Sequence, residues 1–339
     1  MKQAHHQIIL QTLCDGEFHS GEELASQMGI SRTAVWKRLQ HTIAELGIEI
    51  EAVRGKGYRL TRPLEILSRE AIQQTLTQEN LPQPPRLDIH TVTDSTNQRL
   101  LDDSITGTPA APSGSICLAE YQTAGRGRRG RQWTSPFGSN IYLSMLHRTA
   151  KGPAALGGLS IAAGLTVARI LRQAGGDEIG LEWPNDLLWR GRKLAGLLVE
   201  VAGEQAGPSR AVIGLGINLR LSKQQGDGID QPWVDLEEIL ATTLPSRNLL
   251  AAQLIGGLLE MTRRFEQHGL SPWLDQWREF DLYQDQPVEL IMGDRRHPGI
   301  CRGINENGAL LLEQQGQITT HHGGEVSLRG KPGSCLPDR

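Results

Sequence analysis

The sequence predicts an α+β chain in three parts: a helical N-terminal domain closed by a hairpin, a central mixed α/β domain, and a small C-terminal β-barrel. Two capped helix patterns around a tight turn, then a basic strand–turn–strand, fill residues 20–62. Apolar strand-like runs alternate with helical patterns in the middle, and five short strand-like runs divided by glycine turns follow Pro287. A chain of 339 residues is too long for one ordinary core. The expected boundaries are 1–62, a linker at 63–86, then 87–284 and 285–329.

Composition narrows the class. A charged fraction of 22% and an apolar fraction of 38% suit a soluble globular protein. No apolar run is expected to span a bilayer, so no membrane partner is expected, and the polar N-terminus lacks a signal-peptide pattern. Cys14, Cys117, Cys301 and Cys335 are scattered, which argues against a zinc site or disulfide framework and for a reducing cytoplasm. With a net charge of −3, any nucleic-acid contact must come from a local patch.

Ile8, Ile9 and Leu13 suit a first helix, ended by Asp15-Gly16. Ser20-Gly21-Glu22-Glu23 has the form of a capping box; Leu24 and Met28 lie four apart on the helix that follows, and Gly29 ends it. Ser31 caps a third helix with Val35, Leu39, Ile43 and Leu46 at spacings of four, four and three, and Gly47 stops it. Two capped helices around so short a turn read as a helix-turn-helix. Ile48, Ile50 and Ala52 then alternate with Glu49 and Glu51, Arg54-Gly55-Lys56-Gly57 turns, and Tyr58-Arg59-Leu60 returns as a wing. Seven Lys/Arg against three acids between Ser31 and Arg62 favour DNA binding over a purely structural winged helix. Arg32, Thr33, Trp36 and Lys37 are expected at the major groove, with Arg54 and Lys56 on the wing.

Arg62-Pro63 ends the wing, Ser68 caps a short helix through Leu76, and Leu81-Pro82-Gln83-Pro84-Pro85 is a stiff connector. A strand at 87–90 leads to Thr93-Asp94-Ser95-Thr96-Asn97-Gln98. That stretch reads as a helix start capped by Ser95 or Asp94, or as a neutral hydrogen-bonding surface for a polar ligand group.

Between apolar runs at 116–121 and 140–146 lies Gly125-Arg126-Gly127-Arg128-Arg129-Gly130-Arg131. Glycine lets a backbone come close to a ligand, and arginine offers a forked, permanently charged donor set to carboxylate and phosphate. The flanking strands and Trp133 embed this loop in a folded domain, so an anion-binding loop outweighs a disordered RNA-binding segment.

Residues 153–175 read as one long buried helix, and Trp183-Pro184-Asn185-Asp186 is followed by a turn with Lys193 at the mouth of an apolar strand, 194–201. A second such strand, 211–219, carries Gly214 and Gly216, whose lack of side chain means close packing or close approach of a ligand. Residues 249–265 form an amphipathic packing helix. The runs 288–292, 297–302, 309–313, 317–320 and 325–329, separated by glycine turns such as Gly323-Gly324, suggest a small closed barrel. His321-His322 has no third metal ligand in view.

Taken in order, the winged helix, Ser95-Thr96-Asn97, the Gly125–Gly130 loop, Trp183-Pro184-Asn185-Asp186, Lys193-Leu194-Ala195-Gly196, Gly214-Leu215-Gly216-Ile217-Asn218 and the terminal barrel resemble the bifunctional biotin–protein ligases and biotin operon repressors of bacteria. The resemblance covers essentially the whole chain. It implies a central domain of the biotin/lipoate ligase type and an SH3-like barrel. It also implies two steps: biotin and ATP give biotinyl-5′-AMP and pyrophosphate, and a lysine of the biotin carboxyl carrier protein of acetyl-CoA carboxylase takes the biotinyl group. By it, Arg126, Arg128, Lys193 and Asp186 are the catalytic set, with the Gly125 and Gly127 backbone beside the anions. Ser95, Thr96, Asn97 and Gln122 hold biotin, and Arg131, Trp133 and Asn218 serve the adenylate. Mg²⁺ comes with ATP and has no assigned protein ligand.

Many members of that family have a lysine where this chain has Glu182; an acid there weakens triphosphate binding unless it is paired or turned away. The resemblance further implies that biotinyl-5′-AMP orders the Gly-Arg loop and promotes a homodimer that presents two winged helices to operator DNA. Two alternatives stay open: a ligase without operator binding, and a lipoate-type ligase.

Overall fold

The structure, a computed structural model, describes residues 2–330 except 47, 108, 206, 242, 243, 324 and 325. The expected helix stop at Gly47, the turn residue Gly324, the strand start at 325 and Cys335 lie outside the described residues.

The N-terminal domain comprises α1 (Lys2–Leu13), α2 (Gly21–Met28), α3 (Arg32–Leu46) and the antiparallel pair β1 (Ile50–Val53) and β2 (Gly57–Leu60). Ser20 Oγ accepts the Glu23 N–H at 3.0 Å, but the Glu23 carboxylate turns to His19 at 3.0 Å. Only the Ser20 half of the expected capping box therefore forms. His19 exchanges main-chain bonds with Tyr58 (2.9 and 2.8 Å), seating the wing against the helices. Ile9, Leu13, Leu24, Val35 and Leu39 are fully buried in this domain's core, each contributing about 1.5–3 kcal/mol. Phe137 and Tyr121, on either side of the Gly-Arg loop, belong to the same hydrophobic cluster, as do Leu64, Ile66 and Val92.

The stretch expected as a linker is largely built into the main core. In α4 (Arg69–Gln78), capped by Ser68, Ile72 and Leu76 are fully buried, and α4 packs on the helix Arg247–His268.

The central domain runs β3 (Leu87–His90), α5 (Thr96–Ile105), β4 (Ile116–Ala119), β5 (Ile141–Thr149), α6 (Leu159–Gln173), β6 (Gly180–Glu182), β7 (Asp186–Trp189), β8 (Arg192–Gly203), β9 (Ser209–Ile217), α7 (Lys223–Gly226), α8 (Leu236–Leu240), α9 (Arg247–His268) and α10 (Leu274–Phe280). Its sheet has the order β3-β4-β5-β9-β8-β7-β6, with β3 and β4 parallel and the other pairs antiparallel. The single helix expected at 153–175 is divided: a 3₁₀ turn at Pro153–Leu156 precedes Gly158 at φ 78°, where α6 starts. Against expectation, Pro153–Gln173 is long and apolar enough to cross a membrane by length and composition. Here α6 packs on the sheet and α9, burying Leu159, Ile161, Leu165 and Leu171.

A buried ion pair ties these parts together. Arg247 Nη2 donates to Glu120 Oε2 (2.9 Å) and Asn140 O (2.8 Å), and Nη1 donates to Glu65 O. The other Glu120 oxygen accepts the Leu67 N–H at 2.5 Å. With side chains only 8% and 2% exposed, removing one partner would strand a charge, at a cost of about 3–5 kcal/mol.

At the C-terminus β10 (Pro287–Met292), β11 (Arg295–Ile304), β12 (Leu310–Gln314), β13 (Gln317–His321) and β14 (Val326–Gly330) form an antiparallel sheet in the order β13-β12-β11-β10-β14. A register shift between Cys301 and Ile304 interrupts β11, and such bulges bend a strand as a small SH3-like domain requires.

Candidate functional site

The start of α5 and the end of β4 meet side by side. Thr123 N donates to Thr93 O and Ala124 N to Asp94 O, both at 2.9 Å. Ser95, buried, caps α5. Gln122 Oε1 accepts from Thr96 N (2.9 Å) and Thr96 Oγ1 (3.2 Å), while its Nε2 donates to Ser135 Oγ at 3.1 Å. Ser144 Oγ, fully buried on β5, lies 2.7 Å from Thr96 Oγ1 and 2.6 Å from Asn97 Oδ1. The Asn97 amide nitrogen donates to Glu200 Oε2 (2.9 Å) and Leu198 O (3.3 Å). Ser95, Thr96, Asn97 and Gln122, each hydrogen-bonded within the protein, together form a neutral polar wall of one cavity.

Charged groups share the lining of the same cavity. Arg128 Nη1 donates to Asn185 Oδ1 at 2.8 Å; burial pushes its pKa down from the ordinary arginine value, while Asp186 opposes that shift. Lys193 Nζ pairs with Asp186 Oδ2 at 2.6 Å, both side chains 14% exposed. Arg126 reaches Glu200 Oε1 and Gln98 Oε1, each at 2.6 Å. Trp133 lies 5.7 Å (ring centroid) from Lys193 Nζ, its buried indole N–H without a hydrogen-bond partner among the described residues. Its ring rests on the register pair Gly196 and Gly216, and a Cβ at Gly216 would run into the indole. Gly214 and Gly216, expected to mean close packing or close approach of a ligand, give close packing here: a Cβ at Gly214 would run into the Asn97 amide and one at Gly216 into the Trp133 indole. Asn218 Nδ2 donates to Val234 O at 3.2 Å and Lys193 O at 3.5 Å, so it braces the Lys193 main chain.

Ser95, Thr96, Asn97, Gln122, Arg126, Arg128, Trp133, Asn185, Asp186, Lys193 and Asn218 line this one cavity of about 690 Å³, together with Gly127 and Arg131. Glu182, 4% exposed, also lines it and faces Asp186 across the β6–β7 pair. Sequence reasoning quoted Asn185 within a motif but gave it no role, and it missed the supporting Ser144 and Glu200. It also missed the segment 228–233, which closes one side of the cavity, with Lys193 N bonded to Pro232 O at 2.9 Å. Its Gly228-Ile229-Asp230-Gln231-Pro232-Trp233 composition was the available signal.

The second expected surface is on the N-terminal domain. Arg32, Thr33, Trp36 and Lys37 are exposed on α3, and Arg54 and Lys56 at the wing turn. Trp36 stacks on Tyr58 with ring centroids 6.0 Å apart, joining α3 to the wing.

Comparison with known proteins identifies the family. Residues 89–218 match the biotin/lipoate A/B protein ligase family, 5–59 an HTH domain and 285–329 the biotin protein ligase C-terminal domain. The chain is 47% identical to the bifunctional ligase/repressor BirA of Salmonella typhimurium, over 95% of this chain and 96% of that protein. It is 45% identical, at the same coverage, to that of Escherichia coli. The biotin protein ligase of Aquifex aeolicus, solved in complex with biotin and ATP, superposes with a TM-score of 0.60 at 25% identity, over 73% of this chain and all of that one. On these grounds the chain belongs to the family of bifunctional biotin–protein ligases and repressors.

Proposed function

We propose that the cavity joins biotin to ATP, releasing pyrophosphate, and then passes the biotinyl group from biotinyl-5′-AMP to a lysine of a biotin carboxyl carrier protein. One observation carries this reading: neutral hydrogen-bonding groups (Ser95, Thr96, Gln122) and cationic ones (Arg128, Lys193) line a single cavity. The ureido ring of biotin needs neutral partners, and its carboxylate must meet an anionic α-phosphate. At about 4 Å and an effective dielectric constant of about 20, two unit charges repel by about 4 kcal/mol. Fixed cations offset that repulsion where charge builds up. Arg128 stays with the phosphate, and Lys193 follows the negative charge from carboxylate to adenylate. Asp186 orients Lys193 in the first step and the acceptor amine in the second. Trp133 covers the adenine, Arg131 steers the phosphates, and Mg²⁺ enters with ATP, held by phosphates and water.

Biotinyl-5′-AMP is also the corepressor in this reading. Ordering a glycine-rich loop is entropically costly, so its ligand shifts the population toward an ordered form that dimerises. The dimer presents two copies of α3 and the wing to a two-fold operator, and the reaction runs in the cytoplasm.

Incubation with ATP and radiolabelled biotin, followed by a biotin carrier domain, should give labelled carrier; labelling with lipoate but not biotin would overturn the ligase assignment. Sedimentation with and without biotinyl-5′-AMP tests the dimer, which an unchanged monomer fraction would exclude.

A further inference from the structure

Arg126 and Arg128 stand two residues apart in the same loop, yet they are anchored on different elements of the fold. Arg128 is held by Asn185, between β6 and β7, close to the Lys193–Asp186 pair. Arg126 crosses to β8 and α5, with Nη2 on Glu200 Oε1 and Nη1 on Gln98 Oε1, both 2.6 Å. Glu200 divides its carboxylate between the two halves of the site. One oxygen takes the loop guanidinium, and the other takes the Asn97 amide at 2.9 Å. Asn97 is in turn fixed by Ser144 and by the main chain of β8. Buried support of this kind holds a charged side chain in one place, and a carboxylate–guanidinium contact is stronger than a neutral hydrogen bond.

We infer that Glu200 is a positioning residue of the ligase: its ion pair with Arg126 pins the Gly-Arg loop over the biotin side of the cavity. Arg128 has its own anchor, so the two arginines divide the work. Arg126 keeps the loop closed over the ligand, and Arg128 meets the reacting phosphate. The inference rests on the ligase reading above and adds a residue to it. Losing the pin lets the loop open and the ligand escape while the reacting groups stay in register.

The test is a double-mutant cycle in the full chain with Glu200→Ala, Arg126→Gln and the pair combined, and with Glu200→Gln as the near-isosteric form. Glu200→Ala should raise the KM for biotin and speed release of biotinyl-5′-AMP by about tenfold, the range of one lost charged hydrogen bond, while kcat falls less than about threefold. The double variant should be no worse than the poorer single one. Glu200→Gln should recover part of the loss, and should stand in for Glu200→Ala if that variant misfolds. Additive effects, an unchanged KM, or equal losses in kcat and kcat/KM would overturn the pin. Wild-type protein serves as the separate control. If it forms no biotinyl-5′-AMP, the ligase reading fails; if it does and the cycle is additive, only the role of Glu200 fails.

Discussion

The cations of the cavity and those of the winged helix are held in contrasting ways. In the cavity Arg126, Arg128 and Lys193 each end on a protein acceptor 2.6–2.8 Å away. On α3 and the wing, Arg32, Lys37, Arg54 and Lys56 face solvent. In the proposed reading these charges serve a reaction at phosphorus, which is sensitive to misplacement on the order of 1 Å, and fixed acceptors suit that role. A DNA backbone is a repeating line of charge, and affinity for it grows with the number of phosphates neutralised. Long exposed side chains suit that purpose with looser contacts, such as Lys56 Nζ at 5.6 Å from the Phe18 ring centroid.

Breaking the fixed set should have the largest effect. Lys193→Ala or Arg128→Ala should slow biotin-dependent exchange of labelled pyrophosphate into ATP by about 10²–10³-fold with the fold intact; a loss of less than about tenfold would erase the contrast. Next comes the floor beneath Trp133. Gly216→Ala puts a methyl group into the indole and should raise the KM for ATP on the order of tenfold, as misplacement near a reacting group does. In the exposed set, Lys37→Ala and Lys56→Ala should each reduce the salt slope of operator binding by about 1 while ligation is unchanged. Glu182→Lys sharpens the cavity side, replacing a buried acid opposite Asp186. It should lower the KM for ATP, and an unchanged or higher value would count against an acid acting on the triphosphate.

The smallest effect is a pH dependence in the winged helix. Burial pushes the His19 pKa down, but its hydrogen bonds to Glu23 and Asp15 outweigh this and hold it above the ordinary histidine value. A raised pKa means that the folded state binds the proton more tightly. The added stability is therefore full below about pH 6.5 and is lost as pH rises through the folded-state pKa. Thermal unfolding of the full chain should show an N-terminal transition that falls in temperature as pH rises, and His19→Gln should flatten that dependence.

Much of the local structure was legible. Ser20, Ser31 and Ser68 cap the helices their positions foretold, and Gly29 ends α2 in the left-handed region. These are interactions within one turn, and spacing alone encodes them. The break before α6 was not legible, because the Gly157-Gly158 pair sits inside an otherwise apolar run. Nor was the incorporation of α4, whose packing surface on α9 lies well over a hundred residues away in the chain.

For the site, residue types and motif spacing determined the ingredients: a flexible polycationic loop, a neutral polar helix start and a lysine at a strand mouth. Tertiary structure alone decided their partners. Gln122 meets Thr96 26 residues away, Arg128 meets Asn185 57 away, and Arg126 meets Glu200 74 away. Helix and turn preferences act over a few residues, whereas these contacts depend on which strands become neighbours in the sheet. The strand order β3-β4-β5-β9-β8-β7-β6 brings the loop after β4 to the ends of β7 and β8, and burial of the whole core, not any local run, selects that order.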